Sequence, residues 1–179
     1  IPDLVQEDVC DLGLVGLNVL EEKRLAMLAR GTTPRIEILQ KLDFGRCRLS
    51  LAVPQEFVFG GLPSIAGKRI ATTYPHVLAR FLRENAITAE IVTLSGAVEI
   101  APRLGRADLI CDLVSTGSTL TANHLREVAV VLESHVCLVR TPVALPEVKA
   151  DWVRRLLVRV DGTLPRGCTI RDMMADGSK

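Results

Sequence analysis

The stretch Asp112-Leu113-Val114-Ser115-Thr116-Gly117-Ser118-Thr119-Leu120 carries the residue types that grip a phosphomonoester. It follows the apolar run Ala107-Asp108-Leu109-Ile110-Cys111, which reads as a buried strand, and precedes Thr119 to Val128, whose spacing predicts a helix. Amides at a helix start lack intrachain acceptors and carry partial positive charge. Ser115, Thr116, Ser118 and Thr119 add hydroxyl donors, and Gly117 lets a phosphate come close to the backbone. The same residues also suit a capped turn with no ligand. Magnitude limits what the loop does alone: a helix terminus contributes ~0.3–1 kcal/mol toward an anion, whereas micromolar binding needs about 8 kcal/mol. Other groups must share the ligand.

The elements that would position this loop follow from periodicity. Pro2 to Val9 has helical spacing, and Leu12 to Val15 is a short strand ending at Gly16. Asn18 is placed to cap a helix from Val19 to Ala29, and Gly31-Thr32-Thr33-Pro34 separates it from the strand-like Ile36 to Leu42. Strands are predicted at Arg48 to Val53, Arg69 to Thr72 and Ile91 to Leu94, with helices from Pro75 to about Asn85 and from Ala97 to Leu104. Val128 to Val139 is a long apolar stretch rich in β-branched residues. Glu147 to Val160 reads as a final amphipathic helix with Val148, Trp152, Leu156 and Val160 on one stripe. Alternating strands and helices argue for an α/β fold that binds ligands beyond the carboxyl ends of its strands.

Composition narrows the function further. The 179 residues carry a net charge of +1 with 48% hydrophobic content, so no basic surface recommends a nucleic acid and no polybasic segment recommends a membrane. No apolar run is long enough to span a bilayer, and the start lacks a signal-peptide pattern, which makes the cytoplasm the expected location. Cys10, Cys47, Cys111, Cys137 and Cys168 are odd in number, lack a C-x-x-C pair and read as reduced core thiols. His76, His124 and His135 have no metal-ligand spacing, and none is assigned as a base.

Glu99 followed by Gly105, Ala107, Ile110, Asp112, Leu113, Thr116, Gly117, Thr119 and Leu120 closely resembles the signature of the ATP phosphoribosyltransferase family of histidine biosynthesis. Further blocks resemble that family in the same order: Asp11 to Gly16 with Asn18 to Glu22, Leu42 to Gly45 with Cys47 to Ala52, and Lys68 to Thr72 with Tyr74-Pro75-His76. The likeness runs from about Ile1 to Arg140. It implies a two-lobed α/β fold of the type II periplasmic-binding-protein kind with the ligand cleft between the lobes. Lobe I would comprise 1–45 plus 131–161, lobe II 46–130 with the phosphoribosyl pyrophosphate loop, and 162–179 a linker toward a regulatory domain. Because the chain opens at Ile1-Pro2, where the family sequence is already under way, and carries only the start of a regulatory domain, the resemblance implies truncation at both ends. Weak or absent catalysis is then expected of the isolated chain.

The same resemblance implies that ATP condenses with 5-phosphoribosyl 1-pyrophosphate, giving N1-(5-phosphoribosyl)-ATP and pyrophosphate with Mg²⁺ as cofactor. Homo-oligomers from dimer to hexamer and histidine inhibition of the full-length protein are implied too. Ser115, Thr116, Gly117, Ser118, Thr119 and Leu120 would hold the 5-phosphate. Asp112 would accept ribose hydroxyls or sit near the metal-bound pyrophosphate, the alternative being a strand-end carboxylate bonded to a local amide. Glu99 belongs to the signature, although a surface helix glutamate also explains it. Arg48, Arg69 and Tyr74 are candidates for the ATP side, since guanidinium forks suit phosphates and an aromatic face stacks on adenine. No side-chain metal ligand is assigned; Mg²⁺ would arrive with the substrate.

Two other functions fit parts of this pattern. A phosphoribosyltransferase for a free nucleobase also uses a Thr-Gly phosphate loop, but places two adjacent acids before it, whereas Asp108 and Asp112 are separated by three residues. A non-catalytic small-molecule-binding module of periplasmic-binding-protein type would bind without turnover.

Overall fold

The computed structural model describes residues 1–160. The first compact unit, Ile1–Thr141, contains two sheets. The chain starts with α1 (Pro2–Gln6), β1 (Leu12–Gly16), α2 (Leu17–Ala29) and β2 (Glu37–Lys41). It crosses into β3 (Cys47–Pro54), β4 (Arg69–Thr72), α3 (Pro75–Glu84), β5 (Glu90–Thr93), β6 (Leu109–Val114), α4 (Ser118–Ala122) and β7 (Leu125–Ser134), then returns through β8 (Val136–Arg140). The smaller sheet is antiparallel, ordered β1-β8-β2; the larger is ordered β5-β4-β6-β3-β7. Within the larger sheet β4 runs parallel to β5 and β6, while β3 opposes both β6 and β7. The expected parallel packing therefore holds only for the three strands joined by helical crossovers.

Side-chain alternation on β3 and β6 divides the larger sheet into two buried faces. Leu49, Leu51, Val53, Leu109 and Cys111 point to the face covered by α3, whose Val77, Leu78 and Leu82 form its apolar stripe. Ala52, Ile110 and Val114 point to the other face, where Val98, Ala101, Leu120 and Leu125 close a second cluster. The smaller sheet has its own core of Val5, Val15, Leu20, Cys137 and Val139. Cys111 and Cys137 are buried free thiols, and Cys10 and Cys47 are free as well.

Several predicted elements differ from those observed. The helix expected over Thr119 to Val128 is only the five-residue α4, because from Leu125 the chain pairs along β3 instead. Val128, Val130 and Val131 are stiff at χ1 and pack on a pleated surface, so tertiary pairing outweighs the weak helical spacing. The long apolar stretch after Val128 is two strands in different sheets, divided at His135. The helix expected over Ala97 to Leu104 is a 3-10 turn, Val98–Ile100, entered through Ala97 in the left-handed region.

Asn18 does not cap α2. Gly16 holds the cap position, and Asn18 lies buried inside the first turn. Its amide N–H donates to Ser134 Oγ at 3.1 Å, that hydroxyl donates back to Asn18 Oδ1 at 2.8 Å, and Asn18 Nδ2 donates to the Tyr74 hydroxyl at 2.8 Å. One side chain thus ties α2, the end of β7 and the start of α3. Asn18→Leu should lower stability by about 1–3 kcal/mol by leaving the Ser134 hydroxyl without its acceptor and the Tyr74 hydroxyl without its donor, measurable as a lower urea midpoint.

The second unit, Pro142–Lys179, is described through α5 (Glu147–Val160). Val148 and Trp152 are exposed on it, and Asp151 pairs with Arg155. The linker and regulatory-domain start expected over 162–179 lie outside the described residues.

Candidate active site

At the carboxyl end of β6 the chain leaves the sheet at Ser115 and turns through Gly117 with φ +85°. That left-handed conformation is the one a side chain disfavours, which explains glycine there. Among the described residues, no acceptor is recorded for the amides of Thr116, Gly117 and Thr119. Ser115, Thr116, Ser118 and Thr119 are exposed, and the Thr116 and Ser118 hydroxyls lie 3.0 Å apart. α4 is a single short turn, so what the loop can offer an anion is local amides and hydroxyls more than a long helix dipole. Leu120 differs from the rest: its side chain sits in the core, so only its backbone is available to a ligand.

Asp112 points to the same sheet face as Val114 and the paired Ser50. One carboxylate oxygen accepts the Leu113 amide at 2.8 Å. Burial holds the Asp112 carboxyl above the usual carboxylate range, opposed by that amide, and the negative charge of Glu99 adds to the rise. Glu99 stands on the 3-10 turn packed over this face rather than on a surface helix, so the structure brings two of the sequence candidates into electrostatic contact. Tyr74 follows the carboxyl end of β4, which parallels β6, and so shares the loop's edge of the sheet. Its phenol is pushed up first by burial; Asn18 opposes this and the charge of Asp112 reinforces it.

The two arginines are placed differently from the expectation. Arg69 opens β4 at the opposite edge, about 20 Å from the loop along the six-residue β6. There Asp108 accepts both the Arg69 amide at 2.8 Å and its guanidinium at 3.1 Å, and the Gly105 carbonyl takes another donor at 2.9 Å. Arg69 thus lies apart from the loop, engaged by Asp108 and the Gly105 carbonyl. Arg48 does lie at the loop's edge, opposite Val114, but its Nε and Nη2 donate to Glu127 at 2.5 and 2.6 Å. Its Nη1 reaches the Ser115 carbonyl at 3.4 Å. The guanidinium is thus engaged by protein acceptors at the edge of the loop.

Two residues in this region escaped sequence reasoning. Glu127 also accepts the buried Ser50 hydroxyl at 2.7 Å, and Arg48 holds its carboxyl below the usual range. Glu22, on α2, accepts the amides of His76 at 3.0 Å and Val77 at 2.9 Å and contacts His76 Nδ1 at 2.7 Å. Neither partner is local in sequence, so no motif announces them. The crossing segments line an open cavity of about 510 Å³ with Lys41, Asp43, Arg46, Glu133 and His135.

A turn whose Thr116, Gly117 and Thr119 amides lack acceptors, following directly on Asp112 at the strand end of a two-sheet α/β unit, has the donors that suit a sugar phosphate. The family description HisG, ATP phosphoribosyltransferase, matches residues 1–162. The chain belongs to the ATP phosphoribosyltransferase family. It is similar to the ATP phosphoribosyl transferase (HisG:HisZ) complex from Thermotoga maritima, at 30% identity and TM-score 0.71 over 90% of this chain and 73% of that one. Its fold is also that of binding proteins. The alkanesulfonate-binding protein SsuA from Xanthomonas axonopodis pv. citri aligns at TM-score 0.59 and 18% identity, covering 92% of this chain and 60% of that one. A periplasmic binding protein from Brucella ovis with glutathione bound aligns at TM-score 0.50 and 12% identity, over 79% and 46% of the two chains. These likenesses establish the two-lobed, type II periplasmic-binding-protein-like architecture. Family membership makes this ATP phosphoribosyltransferase-family chain a phosphoribosyl-transferring enzyme of histidine biosynthesis. No helix among the described residues is long and apolar enough to cross a membrane.

Proposed function

We propose that this chain catalyses attack of adenine N1 of ATP on C1 of 5-phosphoribosyl 1-pyrophosphate, forming the N–C bond as the C1–O bond to pyrophosphate breaks. The observation that carries the reading is that the Ser115–Thr119 loop follows directly on Asp112 at the carboxyl end of β6, with Glu99 on the turn packed over the same sheet face, in a chain of this family. The loop amides and hydroxyls hold the 5-phosphate. Asp112 accepts ribose hydroxyls and, ionised, favours the positive charge that develops at C1. Tyr74, on the same edge, offers an aromatic face to adenine. Holding both substrates at near-attack distance supplies much of the rate, since proximity alone accounts for ~7–11 kcal/mol in well-oriented reactions.

Among the described residues no group of three or more His, Cys, Asp or Glu side chains could hold a metal by itself. Asp112 and Glu99 are hard oxygen donors that fit a cation whose remaining ligands come from the substrate. Mg²⁺ bound there would neutralise the departing pyrophosphate. Association with a further protein, as in the HisG:HisZ complex, belongs to the same proposal.

Incubating the intact protein with ATP, phosphoribosyl pyrophosphate and Mg²⁺ should release pyrophosphate and yield phosphoribosyl-ATP by mass spectrometry. Uracil or hypoxanthine in place of ATP should release none. Saturable binding of both substrates with no pyrophosphate formed would point to a binding module instead.

A further inference from the structure

Glu127 has no place in the proposed chemistry, yet its surroundings are built with care. β7 departs twice from regular pairing with β3, between the pairs Leu49–Leu132 and Ser50–Val130 and between Leu51–Ala129 and Ala52–Glu127. Bulges of this kind re-aim side chains. Here Glu127 reaches back along β3 to both Ser50 and Arg48, and all three meet on the Asp112 face of the sheet. Ser50 is fully buried, so its hydroxyl has a single fixed task, donating to Glu127 Oε1 at 2.7 Å. The two carboxylate oxygens then meet Arg48 in a bidentate fork, the geometry in which a guanidinium is held in both position and plane. The remaining edge of that guanidinium points at the Ser115 carbonyl, the first residue of the phosphate loop.

We propose that Glu127 is a positioning residue for the phosphate loop: anchored by Ser50, it fixes Arg48 against the Ser115 carbonyl and so sets the direction in which the following amides point. Turning the Ser115 carbonyl toward Arg48 fixes the peptide plane shared with Thr116, and thereby the Thr116 N–H. Without the fork, Arg48 samples other rotamers and the loop loses its preset orientation, which a phosphate must then restore on binding. The ligand class, a sugar phosphate, rests on the reading given under Proposed function; the link between Glu127 and the loop does not.

Glu127→Gln keeps size and hydrogen bonding to Ser50 but loses the charge that holds Arg48. Backbone ¹⁵N relaxation should show the order parameters of the 115–119 amides falling from a rigid value of about 0.85 to below about 0.6 in this variant, with α3 unchanged and the thermal midpoint preserved. In calorimetry, affinity for phosphoribosyl pyrophosphate should fall about tenfold while ATP affinity stays within about twofold. Arg48→Lys, which keeps charge and loses the fork, should reproduce both effects. Unchanged loop order parameters in Glu127→Gln overturn the proposal whatever the ligand. Equal weakening of both ligands overturns it too, because that is the mark of general destabilisation. A wild-type protein that ignores phosphoribosyl pyrophosphate while its variant shows the more mobile loop refutes the functional reading and supports the positioning role.

Discussion

Asp112→Asn should lower kcat/KM for pyrophosphate release by about three orders of magnitude while making the folded chain more stable at pH 7. The two effects have one cause. Burial, with the charge of Glu99 reinforcing it, raises the folded-state pKa of Asp112 above its unfolded value. A raised carboxyl binds protons more tightly when folded, so its stabilising contribution is complete below the unfolded pKa and is lost as pH rises through the folded one. At neutral pH the ionised group is a cost to the fold, and Asn removes it. Thermal melts of both proteins across pH should therefore show the Asn variant ahead at pH 7 and the gap closing in acid. Activity runs the other way: the ionised carboxylate is the useful form, so the acid limb of kcat/KM should lie above the ordinary aspartate range and vanish in the variant. A variant of unchanged activity would remove Asp112 from the chemistry.

Gly117→Val should weaken phosphoribosyl pyrophosphate binding by at least about a hundredfold, with Gly117→Ala intermediate. No atom lies within 4 Å of a Cβ added at Gly117, so crowding is not the reason. The reason is φ +85°, which a β-branched residue resists most strongly. Relief of that strain rotates the adjoining peptides and, under the proposed function, takes the Gly117 amide and its neighbours out of the direction that serves a phosphate. Because the loop is exposed and its hydrogen bonds are few and mostly local, global stability should drop by only about 1–2 kcal/mol. Isothermal titration beside urea melts separates the two quantities. Equal losses in both variants would mean that backbone conformation is not what matters there.

How far the fold and the site could be read from the chain depends on how local each feature is. Gly117 among hydroxyl residues after an apolar run marks a turn beyond a strand, because the strand, the turn and its conformational demand all lie within about ten neighbouring residues. The helix after it was overestimated, since Leu125 to Ser134 takes its conformation from β3, more than seventy residues away in sequence. Asn18 looked like a cap for the same reason: its real partners, Ser134 and Tyr74, are remote. Arg48 and Arg69 were alike as sequence, each an arginine at a strand start, and only topology separates them by putting β3 and β4 in opposite directions relative to the loop. Glu99 gained its meaning from the 3-10 turn that lays it over β6.

The seat of Glu22 on the first amides of α3 has an electrostatic consequence. β4 and β6 are parallel, so the rim of the larger sheet would otherwise present two positive poles to an arriving polyanion, one at His76 and one at Thr116. An internal carboxylate neutralises the first. Of these two helix starts, the one at Thr116 is left open, so under the proposed function a ligand with phosphates at both ends should meet unlike ends of the rim and enter in one orientation.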